Sequence, residues 1–213
     1  MIREKKALLD DENPIPASQR PKADLYETHE VLTRALMGHV DLPSRIWEPA
    51  AGKGAISRVL EAGGHVVLKT DLFDHGVGEG IQCGLDFLNA RPHAHAQTIV
   101  TNPPFNQAAE FVQRALEVAD VSYFLMRVQF VNRGTGRKMM SHLAGLYPLA
   151  PRPGRMHMDG WTGPTAGGRG DYAWYCFSRH HVGNTDFRPI YWRDYEKAPA
   201  SLLDQRDNFQ PGK

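Results

Sequence analysis

From residue 24 to residue 180, short apolar runs alternate with stretches whose apolar residues recur at helical spacing. Asp24 to Met37 sets Leu25, Val31 or Leu32, Ala35 and Leu36 along one side of a predicted helix, and Gly38 supplies its stop. Ser44 to Trp47 predicts a short strand that ends in Glu48-Pro49. Gly54 to Ala62 reads as a helix with Ile56, Val59 and Leu60 inward, and Gly63-Gly64 closes it. His65 to Leu68 is a β-branched strand leading into Asp71. Gln97 to Thr101 is another strand, running into Asn102-Pro103-Pro104-Phe105. Ala108 to Val118 carries Phe111, Val112, Ala115 and Leu116 at helical spacing. The nearly continuous apolar run from Val121 to Val131 is what a strand buried on both faces requires. Arg137 to Leu146 predicts a further helix. Arg152 to His157 and Tyr172 to Ser178 predict a closing strand pair, joined by the Gly-rich segment from Asp159 to Gly170.

Strands and helices in alternation, with turn residues at strand C-termini, predict an α/β fold around an open, mostly parallel sheet covered on both faces. Ligands of such sheets bind at the carboxyl ends of the strands, near the point where strand order reverses. That directs attention to the loops after Trp47, Thr70 and Thr101. Residues 1–22, with Pro14, Pro16 and Pro21, read as an arm outside this unit. The polar stretch 194–213, ending in Gln-Pro-Gly-Lys, reads as a tail, leaving one domain over 23–193.

Composition narrows the classes. The chain has 213 residues and is 41% apolar, enough for one substantial core. No apolar run nears the roughly 20 residues of a membrane helix, and no signal peptide opens the chain, so a cytoplasmic location is expected. Cys83 and Cys176 belong to no CxxC pair, and His93 and His95 lack the acidic or thiol partners that would complete a ligand set. No metal is therefore expected. A net charge of +1 makes any nucleic-acid surface a local patch.

Three loops carry candidate chemistry. Glu48-Pro49-Ala50-Ala51-Gly52-Lys53-Gly54 joins a strand to a helix with small residues that let backbone pass close to a ligand. It lacks the spacing of a phosphate loop and of a dinucleotide site. A loop opening on a carboxylate suits a ligand with a cationic end, although the same residues also make an ordinary tight turn. Asp71, followed by Leu72, lies about 20 residues after Gly52, where a carboxylate accepts hydrogen bonds from ribose hydroxyls in related folds; a helix cap is the other reading. Asn102-Pro103-Pro104-Phe105 follows a buried strand. Two prolines remove two donors, so acceptors face the crevice: the Asn102 side-chain oxygen and a proline carbonyl. Two acceptors hold the N–H bonds of a planar amino group, and Phe105 offers a face on which a base can stack.

In this order the motifs resemble those of the class I S-adenosylmethionine-dependent methyltransferases, and among them the adenine-N6 DNA methyltransferases. Glu48 to Gly54 is similar to their cofactor motif, with Glu48, Pro49, Ala50, Gly52 and Gly54 as its residues, and Asn102 to Phe105 to their catalytic motif. The resemblance implies that Asp71 and Leu72 meet the cofactor ribose, and that Asp86 and Phe87 hold its adenine. Tyr26-Glu27-Thr28 resembles the segment that closes over the methionine end, through Tyr26 and Thr28. It further implies a Rossmann-like class I methyltransferase sheet with a C-terminal antiparallel hairpin, S-adenosyl-L-methionine as cofactor, and DNA as partner. Asn102 would serve both acceptor and cofactor sides.

The chain departs from that class after Ser178, where about 35 residues remain, too few for a recognition domain. Relaxed sequence specificity, and a preference for single strands, are the expectation. Small phage-type adenine methyltransferases share this brevity and the Asp171-Tyr-Ala-Trp174 run. Contact with substrate would fall to Arg133, Arg137, Lys138, Arg152, Arg155, Trp161 and Arg169. Tyr172, Trp174 and Phe177 read as sheet core rather than a base platform. RNA adenine, a glutamine side chain of a protein factor, and a non-catalytic cofactor-binding module are the other readings of the same motifs.

Overall fold

The computed structural model describes residues 27–76, 80–90, 98–132, 137–153 and 170–196. Among them, nine strands form one sheet in the order β3-β2-β1-β4-β5-β7-β6-β8, with β9 beside β6. The strands are β1 (Arg45–Glu48), β2 (Val66–Asp71), β3 (Ile81–Cys83), β4 (Thr98–Thr101), β5 (Val121–Arg127), β6 (Leu143–Ala150), β7 (Tyr172–Ser178), β8 (Asp186–Phe187) and β9 (Ile190–Tyr191). β3, β2, β1, β4 and β5 run parallel. β7 lies antiparallel between β5 and β6. The order reverses between β1 and β4, and the crevice at their carboxyl ends is the fold's natural ligand site.

Helices α1 (Glu30–His39), α2 (Ala55–Ala62) and α3 (Ala108–Val118) divide between the two faces, and a one-turn α4 (Arg137–Met140) precedes β6. Successive residues of a strand point to opposite faces, so β5 and β7 feed two cores. Leu125, Tyr172, Trp174 and Cys176 pack with α1 and α2. Phe124, Met126, Tyr175 and Phe177 pack with α3. That double burial is why β5 and β7 read as unbroken apolar runs. The Trp174 indole N–H donates to the Leu32 carbonyl at 3.0 Å, tying α1 to the sheet.

Several elements differ from the expectation. The first helix begins at Glu30 rather than Asp24, with 27–29 outside it and 24–26 beyond the described residues. Gly38 lies inside that helix instead of ending it, because a Cβ there would stand 2.2 Å from the Tyr195 ring; the glycine admits a close approach. The run from Val121 ends as strand at Arg127 and continues as a 3-10 turn, Val128–Asn132. The helix expected over 137–146 stops at Met140, and Leu143–Ala150 is strand. Met139, Met140, Leu143 and Leu146 suit helical spacing, but burial alternates through 143–150 at the period of a strand. β7 therefore pairs with 143–150 and not with 152–157, whose last four residues lie outside the described ones. Packed chain extends to the 3-10 turn Trp192–Tyr195, where Tyr195 is buried. Among the described residues no helix is long and apolar enough to cross a membrane.

Candidate active site

At the carboxyl ends of β1, β2 and β4 lies an open cleft of about 840 Å³, counting the solvent-filled space at its mouth. Glu48, Pro49, Ala50 and Gly52 line it from the first loop, Asp71 and Leu72 from the second, and Asp86 and Phe87 from the third. Thr28, Asn102, Pro103 and Pro104 line it as well. Residues placed together by motif reading, though spread over more than seventy positions, thus share one cavity. Ile56, Phe73, His75, Leu85, Gln107 and Phe111 also line it, and no motif pointed to them.

The first loop leaves β1 as a tight turn. Gly54 N–H donates to the Ala51 carbonyl at 2.7 Å, and Ala51 N–H to the Thr70 carbonyl at 3.1 Å. Gly52 and Gly54 take φ of 54° and 77°, a left-handed region that favours glycine. Gly54 stands outside the lining, at the N-cap of α2, where it turns the chain. Glu48 is 1% exposed. Burial drives its carboxyl well above the usual carboxylate range, only partly offset by the Ser57 hydroxyl and N–H, while the Asp71 charge adds to the rise. Its Oε2 has no hydrogen-bond partner among the described residues. An unpartnered oxygen on a buried carboxyl is costly to leave without a donor, and this one borders the cleft.

Asp71 ends β2. Its Oδ2 accepts the Gly52 N–H at 2.8 Å and its Oδ1 the Phe73 N–H at 2.8 Å. His75 Nε2 lies 3.4 Å from Oδ1. The carboxylate thus ties the first loop to the second, and each oxygen retains acceptor capacity toward the cleft. Asp86 is held similarly: Oδ1 accepts the Leu88 N–H at 3.0 Å and Oδ2 the Asn89 amide at 2.6 Å. Phe87 is a wall residue, 5.1 Å edge-to-face from Trp47 and 4.9 Å from Phe111 between ring centroids.

Asn102 stands at the end of β4 with its Nδ2 donating to the Thr28 hydroxyl at 3.1 Å. Thr28 is buried, so the amide is oriented by a residue 74 positions away, and its carbonyl end is turned from that hydroxyl. The Pro104 carbonyl accepts the Gln107 N–H at 3.0 Å, leaving the Pro103 carbonyl as the neighbouring acceptor. Phe105 is outside the lining. Its ring lies 6.4 Å from that of Tyr172, tilted by 33°, and the Arg127 guanidinium rests 5.8 Å from both centroids. Tyr172 is core, as expected, yet it also backs the motif. Arg127 was not singled out from the sequence; the available signal is a lone charge closing a buried strand at its carboxyl end.

Of the basic residues expected to meet substrate, Arg133, Arg155 and Arg169 lie outside the described residues, as do Trp161 and Tyr26. Arg137 starts α4, its side chain undescribed; Lys138 is exposed on the same turn. Arg152 pairs with Asp171 at 2.5 Å. Among the described residues no group of three or more His, Cys, Asp or Glu side chains could hold a metal ion; His93 and His95 lie outside them.

No family model matches the chain, and no curated protein matches it. Solved structures do. A candidate RNA methyltransferase from Pyrococcus horikoshii superposes with a TM-score of 0.54 at 17% identity, over 75% of this chain and 91% of that one. A predicted O-methyltransferase from Agrobacterium tumefaciens gives 0.56 at 15% identity, over 85% and 96%. The M protein of the type I restriction enzyme EcoKI gives 0.50 at 16% identity, over 76% of this chain and 45% of that one. Strand order, the antiparallel β7 and these likenesses together establish that the chain has the Rossmann-like fold of the class I methyltransferases.

Proposed function

We propose that the chain is an S-adenosylmethionine-dependent N-methyltransferase whose acceptor is the exocyclic amino group of adenine in nucleic acid, with DNA as the polymer. The observation that carries this reading is the oriented amide of Asn102, fixed by Thr28 at the carboxyl end of β4 and opening on the same cleft as the buried Glu48.

The residues of the cleft fit the cofactor. The orphaned oxygen of Glu48 suits an amino-acid end bearing a cation. Asp71 and Asp86 offer acceptors for hydroxyl and amino groups, with Leu72 beside the former and Phe87 giving the latter an apolar wall. Gly52 lets backbone approach closely, and Pro49 and Ala50 keep that loop small. When bound, S-adenosylmethionine supplies an electrophilic methyl group on a sulfonium. The chain's own work is orientation. The Asn102 carbonyl oxygen and the Pro103 carbonyl accept the two N–H bonds of the acceptor amine, which aims its lone pair and opposes delocalisation into the ring. Phe105, stiffened by the two prolines before it and by Tyr172 behind it, limits the base to one plane.

Methyl transfer from labelled S-adenosylmethionine to single-stranded DNA, duplex DNA and RNA, with nucleoside analysis of the product, tests the reading. N6-methyladenine on one polymer, absent with Asn102→Ala, is the expected result. Cofactor bound with no label on any polymer would refute it.

A further inference from the structure

Arg127 closes β5 beside the Asn102–Phe105 motif and is unlike the other arginines there. Its guanidinium rests 5.8 Å from the Phe105 and Tyr172 ring centroids, while the side chain remains exposed. Arg152, across the neighbouring strand end, has its charge matched by Asp171. Among the described residues no carboxylate pairs with Arg127. A guanidinium held over rings in this way spends none of its five N–H donors on them, so a fork remains for a tetrahedral or planar oxyanion. The strand ladder fixes the base of this fork, because Arg127 pairs with Tyr172 in register and the Tyr175 hydroxyl donates to the Arg127 carbonyl at 3.1 Å.

We propose that Arg127 is the phosphate-binding residue of the acceptor site, holding a phosphodiester next to the base stacked on Phe105. This rests on the nucleic-acid reading given above. The consequence is selectivity for polymer: a free adenine or adenosine has nothing for the guanidinium to hold. Placing the anion within one residue's reach of the stacking ring also fixes the register of the strand, since base and phosphate are gripped at a set separation. The cation over the rings further strengthens them as a platform.

The test uses the full chain as wild type, Arg127→Gln, Arg127→Lys and Arg152→Gln, with a short adenine-containing deoxyoligonucleotide. Anisotropy gives its affinity across a salt series, labelled transfer gives kcat and KM, and cofactor affinity reports an intact fold. Arg127→Gln is expected to weaken binding roughly tenfold, to raise KM more than it lowers kcat, and to reduce the salt slope by about 0.7. Arg127→Lys, which keeps charge but loses the fork, restores the slope and part of the affinity. Arg152→Gln changes both by less. Methyl transfer with KM and slope unchanged in Arg127→Gln would overturn the proposal and leave the catalytic reading standing. Arg127-dependent binding without transfer would do the reverse. A wild-type chain that binds no oligonucleotide overturns the phosphate site outright.

Discussion

Replacing Glu48 by glutamine separates binding from stability in a way few substitutions do. The side chain is 1% exposed, and burial holds its carboxyl well above the ordinary range. A group whose folded pKa exceeds its unfolded value contributes stability that is fully present below the unfolded pKa, near 4.5, and lost as pH rises through the folded one. Between those limits the unliganded wild type should therefore lose about 1.4 kcal/mol of stability per pH unit on this account. Glutamine keeps the shape and has no proton to lose. The unliganded Glu48→Gln chain should consequently match the wild type in mild acid and exceed it at higher pH. Cofactor binding should move the other way. A charge-assisted contact to a cationic amino group in a dry site is worth about 1.5–3 kcal/mol, so S-adenosylmethionine should bind roughly 10- to 150-fold more weakly. Calorimetry adds a third signature. Where the free wild-type carboxyl is protonated, the arriving cation expels the proton, and the binding enthalpy depends on the buffer's ionisation enthalpy; in Glu48→Gln it does not. Thermal melts against pH and titrations in two buffers measure all three. A variant with unchanged affinity, or with melting that follows the wild-type pH slope, would refute the reasoning.

Other outcomes follow from the same geometry. Asn102→Ala should abolish methyl transfer while leaving cofactor affinity nearly intact, as single-turnover and equilibrium titrations would show; joint loss would mark a structural residue. Thr28→Val removes the acceptor that orients Asn102 and should lower kcat about tenfold, worth roughly one hydrogen bond. Thr28→Ser should recover most of it, and failure to recover would mean that the methyl group matters rather than the hydroxyl. Gly38→Ala drives a Cβ to 2.2 Å from the Tyr195 ring and should cost about 1–3 kcal/mol, seen in urea melts. Tyr195→Leu in that background should return part of the loss.

The alternation of runs from Ser44 to Val118 specified a parallel α/β unit because short apolar runs that end in turn residues have few other uses, whereas the half-exposed β3, Ile81–Cys83, carries no such signal. The loops at Glu48, Asp71 and Asn102 were legible for a related reason. Small residues, prolines and acids at strand ends leave few conformations and few uses, and the fold gathers them at one edge of the sheet whatever their separation. Leu143–Ala150 was not legible as a strand, since its leucines also satisfy helical spacing and only the ladder with β7 decides between the periods. Gly38 read as a helix stop, and only the return of Tyr195 onto α1 gives it a different reason to be glycine. In the site itself, residue types announced acceptors and carboxylates, while their states came from tertiary contact. Glu48 is shifted because the assembled core excludes water from it, Asn102 is aimed because Thr28 reaches it from 74 positions earlier in the chain, and Arg127 meets Tyr172 because β5 and β7 pair in one register. A sequence lists donors, acceptors and charges. Which of them are dry, oriented or left without a counter-charge is fixed only when segments far apart in the chain exclude solvent together.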